Sequence, residues 1–135
     1  MANRLSWDDR YSIGHESLDA QHRHFFELCN AMADCLVEET AAERFDRLFA
    51  ELMEKAREHF MAEEALLAAC GYPELDDQRS EQEEFAYLVN EIATTENFDR
   101  NELQTFLALW WAGHVRGAAR NYPAWLAAGT ANPAR

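Results

Sequence analysis

The chain has few chain breakers, little positive charge and no long apolar run, and each shortage excludes something. Five glycines and three prolines in 135 residues are few, and Gly14, Gly71, Pro73 and Pro123 punctuate the periodic segments. Lys plus Arg total 12 against 25 Asp plus Glu, a net charge of −13. Without a basic face, neither nucleic acid nor an anionic membrane surface is expected as a main partner. The acidity reads as a solvated surface. No apolar run reaches about 18 residues, so no membrane-spanning segment is expected. Met1 to Asp9 holds no apolar stretch of the secretory-signal kind. Cys29, Cys35 and Cys70 are odd in number and form no CxxC pair. They are expected to be reduced thiols, small core or boundary residues of a cytoplasmic protein. There is no repeat and no low-complexity tract.

What is present is helical periodicity. Hydrophobic residues make up 48% of the chain, enough for one core without disulfides. Residues 1–17 lack periodicity and form an expected irregular arm. Leu18, His22, Phe25, Cys29, Met32 and Leu36 then alternate steps of four and three, the signature of one helix face. Phe45, Leu48, Phe49, Leu52, Ala56, His59, Glu63 and Leu66 form a second stripe, closed by Gly71 and Pro73. A third runs through Gln78, Gln82, Phe85, Val89 and Ile92. The fourth contains Leu103, Phe106, Leu107, Trp110 and His114, with Asp99 as its cap and Glu102 three positions on. The expected helices span about 18–38, 42–69, 75–94 and 99–119, followed by a short tail beginning at Tyr122, Pro123 and Trp125. Short connections between amphipathic helices predict an all-α, up-down-up-down antiparallel four-helix bundle forming a single domain.

Each stripe carries polar residues foreign to a core: His22, His59, Glu63, Gln78, Gln82 and His114. His22 lies near the start of the first helix and His59 and Glu63 near the end of the second. Gln78 and Gln82 lie near the start of the third, and His114 towards the end of the fourth. In an up-down bundle these heights coincide, so the six converge at one end. Burying them is costly unless they bond to one another, to water or to a metal. A single histidine on an apolar face is ordinarily a hydrogen-bonded core residue. Three histidines and a glutamate at one level form a donor set suited to iron or zinc. For Gln78 and Gln82 the plainer reading is bonding to water at the bundle mouth. Glu64 and Glu81 are expected to face solvent. His15, in the arm, and His24, off the stripe, are set aside as ligands, and Trp110 and Trp111 are read as packing.

Several strings carry a resemblance: Trp7, YSIGHESLDAQH from Tyr11 to His22, HFMAEE from His59 to Glu64, Tyr72-Pro73, Phe85, and FLALWWAGHV from Phe106 to Val115. Through them the chain resembles the bacterial hemerythrins over residues 5–125. The resemblance implies two irons, held by five histidines and two bridging carboxylates, that bind dioxygen reversibly. His22, His59, Glu63 and His114 match four of those seven ligand positions, with Glu63 matching a bridging carboxylate. The other three hold Gln78, Gln82 and Ala119. In the family pattern His22 and His59 serve one iron, and His114 serves the other with the two missing histidines, so the losses fall on one iron.

Four readings follow. The first is a reduced metal site of three histidines and one glutamate holding one iron or zinc ion, which senses or binds dioxygen or a related diatomic ligand and catalyses nothing. The second is a metal-free scaffold or interaction module. The third is an enzyme with peroxidase- or oxidase-like di-metal chemistry, which requires Glu81 to replace a lost ligand. The fourth is an intact di-iron oxygen carrier that tolerates unusual ligands.

Overall fold

The computed structural model describes residues 4–37, 40–95 and 98–131. Four long helices follow in order: α1 (Glu16–Cys35), α2 (Ala42–Ala69), α3 (Leu75–Ala93) and α4 (Arg100–Asn121). They pack in a ring, α1 against α2 and α4, and α3 against α2 and α4. This is the expected all-α four-helix bundle. No helix among the described residues is long and apolar enough to cross a membrane.

The boundaries follow from capping chemistry. Helix α1 begins two residues before its apolar stripe because His15 acts as the cap, its Nδ1 accepting the Leu18 N–H at 3.2 Å. It ends at Cys35, earlier than expected, where the Leu36 N–H turns back to the Ala33 carbonyl; residue 38, the expected end, lies outside the described residues. Helix α4 opens on Asp99, whose carboxylate accepts from the Asn101 and Glu102 N–H groups. At the end of α2, Gly71 takes a φ of +76°. This allows the Tyr72 N–H to reach the Leu67 carbonyl and the Gly71 N–H to reach Ala68, at 3.0 and 3.2 Å. The pattern is a Schellman turn, which favours glycine at its left-handed position.

Both ends of the bundle carry structure that the periodicity did not specify. The arm contains a 3-10 turn, Asp9–Tyr11, and is fastened to the bundle. Leu5 exchanges two backbone hydrogen bonds with the Asn30 amide, at 2.7 and 2.8 Å. The buried Asp19 carboxylate accepts from the Ser12 hydroxyl and the Ile13 N–H. The expected tail is a fifth helix, α5 (Pro123–Ala131). Proline suits the first turn of a helix, where its missing N–H has no partner to lose.

The buried apolar residues divide into two clusters. The larger includes Phe25, Met32, Phe45, Leu52, Phe85, Leu107 and Trp111 and fills the body of the bundle. The smaller, Ile13, Leu18, Leu67, Tyr72, Ala118 and Tyr122, joins arm, helix ends and tail. Helix α3 contributes least, burying Gln78, Phe85 and Val89.

Candidate metal centre

His22 from α1, His59 and Glu63 from α2, and His114 from α4 meet in the interior, each with a side chain no more than 4% exposed. One ligand atom from each lies within 4.8 Å of all the others. His59 and Glu63 are one helical turn apart on α2, so both project from the same face.

The three Nε2 atoms all address one carboxylate oxygen. Glu63 Oε2 lies 2.9 Å from His59, 3.1 Å from His114 and 3.4 Å from His22. The His22 and His114 Nε2 atoms lie 3.2 and 3.4 Å from that of His59. With metal–nitrogen bonds of about 2.0–2.1 Å, a tetrahedral shell has ligand–ligand edges of ~3.3 Å. Five of the six separations, 2.9–3.4 Å, are of this size, and the donor set suits one small divalent ion in chemistry.

Other groups aim these donors. His59 Nδ1–H donates to Gln21 Oε1 at 2.6 Å, which fixes the tautomer and turns the Nε2 lone pair inward. The second oxygen of Glu63, Oε1, accepts from Gln78 Nε2 and, at 3.3 Å, from the Tyr122 hydroxyl. Trp111 lies beneath the cluster, stacked between Phe25 and Phe60 and edge-on to His59, while Trp110 stacks on the His114 ring. Packing is thus the role of Trp111, and Trp110 also touches the site.

Burial and charge act oppositely on the four groups. Burial pushes His22 down to about 4 and lowers His59, despite the pull of Glu63, so both are neutral and available as donors. Burial would raise the Glu63 carboxyl, but the positive field of His114 and hydrogen bonds from His114 and His22 outweigh it and hold the group well below the usual carboxylate range. Burial would likewise lower His114, and the facing Glu63 carboxylate overcomes this and raises it.

The remaining candidates separate. Gln78 is buried and bonded to Glu63. Gln82 is half-buried, makes no bond to the cluster, and leaves its Nε2 without a partner. Glu81 is exposed and stands outside the convergent donor group. Glu64 is partly covered and pairs with Arg79 rather than standing free in solvent. His24 faces Glu51 at the surface. Ala119 is half-buried on α4. Gln21 and Tyr122 were not singled out in the sequence. Gln21 gave one weak signal, its place beside His22, and Tyr122 gave none, since its role depends on where the α4–α5 junction folds back.

The bundle, and a buried histidine–carboxylate cluster drawn from three of its helices, define a cation-binding domain of the hemerythrin kind. The family model for the hemerythrin HHE cation binding domain matches residues 13–126, and the chain belongs to the hemerythrin family. It is similar to a bacteriohemerythrin of Clostridium acetobutylicum, 28% identical over 86% of this chain and 96% of that protein. A bacteriohemerythrin of Stenotrophomonas maltophilia is 29% identical over 87% of this chain and 78% of its own length. A hemerythrin-like protein of Naegleria gruberi is 27% identical over 87% and 90%. No solved structure gives a significant match.

Proposed function

We propose that the chain holds a single metal ion, iron or zinc, through the Nε2 atoms of His22, His59 and His114 and through Glu63 Oε2, and that it binds dioxygen or a related diatomic molecule without catalysing a reaction. The observation that carries this reading is the convergence of all three histidines on one carboxylate oxygen, within 3.4 Å. A paired-metal site needs the carboxylate to present its other oxygen to a second ion. Here that oxygen accepts from Gln78 and Tyr122. The residues that would complete a second shell are two glutamines and an alanine, which give neither imidazole nor carboxylate.

When bound, the ion supplies a Lewis-acidic or redox-active centre with room for a small ligand. The protein's own part is to orient and to shield. Gln21 sets the His59 ring, Tyr122 and Gln78 hold the carboxylate, and Trp110 and Trp111 limit water. The free thiols Cys29, Cys35 and Cys70 are consistent with a reducing, cytoplasmic setting.

The test is a metal count after anaerobic purification with ferrous iron and zinc offered in turn. The wild-type chain should retain about one ion, the number a single convergent donor set takes. His59→Ala should retain almost none while remaining helical by circular dichroism. A folded wild-type chain without metal would instead support a scaffold, and two irons with an oxo-bridge spectrum would support a carrier.

A further inference from the structure

The nine residues from Asp76 to Glu84 contain no apolar side chain. This half of α3 consequently has little to bury against α4. Opposite it, α4 carries Gly113 and Gly117, where an added Cβ would meet nothing within 4 Å. Between the two helices lies a cavity of about 560 Å³, within the range of roughly 300–1,000 Å³ typical of small-ligand sites. Its walls combine carboxylates with aromatic rings, Asp77, Glu81 and Glu84 on α3 facing Tyr72, Trp110 and Tyr122, and no lysine or arginine lines it. Acidic groups crowd its mouth closely enough to be felt by their neighbours. Burial, the bond to Glu74 and the fields of Glu74, Glu81 and Asp77 push the Tyr72 hydroxyl up to about 12.

A second observation points to a ligand. Gln78 lines this cavity at only 4% exposure, and while its Nε2 is spent on Glu63, its Oε1 finds no hydrogen-bond partner. A buried acceptor left without a donor is destabilising. An N–H donor entering from the cavity would satisfy it.

We infer that the cavity between α3 and α4 binds a linear organic polycation, a diamine or polyamine, with one ammonium directed at Gln78 and the others along the α3 carboxylates. Asp77, Glu81 and Glu84 stand at i, i+4 and i+7, which spaces them about 6 and 4.5 Å apart along the helix axis. That series matches a ligand whose charges are separated by short methylene chains, and the aromatic wall suits both methylenes and ammonium groups. A bare metal ion fits less well, because it needs donors converging on a point. Among the described residues the His22, His59, Glu63 and His114 group is where that convergence occurs. The inference does not require the metal centre to be filled, although His114 lies at the inner wall of the cavity.

Calorimetric titration of the full chain with spermidine, in about 0.15 M salt to screen diffuse surface binding, tests it. The metal-free and metal-loaded protein should each show one site. Glu81→Gln/Glu84→Gln should weaken binding by about tenfold or more, equivalent to ~1.4 kcal/mol. Gly113→Leu, whose side chain projects into open space on a helix, should abolish binding with circular dichroism unchanged. Glu54→Gln/Glu91→Gln, which removes the same charge elsewhere, should leave it intact. Equal affinity in the α3 pair and in the remote pair would overturn the inference, as would magnesium displacing spermidine at matched concentration or an absence of saturable binding. If Gly113→Leu misfolds, the comparison of the two glutamate pairs still decides.

Discussion

Gln21 Oε1 accepts from His59 Nδ1 at 2.6 Å, across the interface between α1 and α2. The contact ties the orientation of the central histidine to the packing of two helices. Gln21→Leu should therefore weaken metal binding by roughly 10–100-fold, the usual range for loss of a partner that orients a ligand. Helicity should be retained, since Gln21 is only half-buried. Competition with a chelator of known affinity measures the change. Unaltered affinity would mean that the ring is held by packing alone.

Tyr122 donates to Glu63 Oε1 from the junction of α4 and α5. Tyr122→Phe keeps the ring contact with Tyr72 but removes one donor from a fully buried carboxylate. The metal-free protein should lose about 1.5–3 kcal/mol, as for a hydrogen bond to a charged group. Urea unfolding of the metal-free variant against wild type gives the value, and a difference near zero would remove Tyr122 from the site.

The three thiols should differ in reactivity. Cys29 is fully buried, and burial pushes its thiol up to about 12, so almost no thiolate forms near neutrality. Cys35 is also buried, whereas Cys70 is half-buried at the end of α2. Brief alkylation of the native protein followed by peptide mass spectrometry should label Cys70 first, with Cys29 and Cys35 modified only after unfolding. Early labelling at Cys29 would show that α1 opens locally.

Gln78→His, Gln82→His and Ala119→Asp together should restore a second metal position. Glutamine and histidine are similar in size, so the two α3 changes need little repacking. The first also frees Glu63 Oε1 from the Gln78 amide. Ala119 is half-buried, which leaves its substituent some space. A second ion would offset the added carboxylate, which is costly if left buried and unpaired. The expected result is about two irons per chain, the count a two-metal site requires, with an oxo-bridge absorption missing in the parent. A folded variant with no more iron than the parent would show that further residues separate the two kinds of site.

The bundle and the four convergent donors were legible in the sequence, because helical periodicity fixes which face a residue occupies and chain position fixes its height. His22, His59, Glu63 and His114 needed nothing more to be placed together, and the strings around them carried the family. Periodicity does not fix rotamers or the distances between helices. Only the tertiary structure decided that three imidazoles address one oxygen of Glu63 while Gln78 and Tyr122 hold the other. Gln21 acquires its role from the closeness of α1 and α2, and Tyr122 from the way the α4–α5 junction folds back over the site. Gln78 and Gln82 share a stripe and a residue type, yet one reaches the cluster and the other does not, because a side chain's reach depends on how its helix is rotated and spaced against its neighbours.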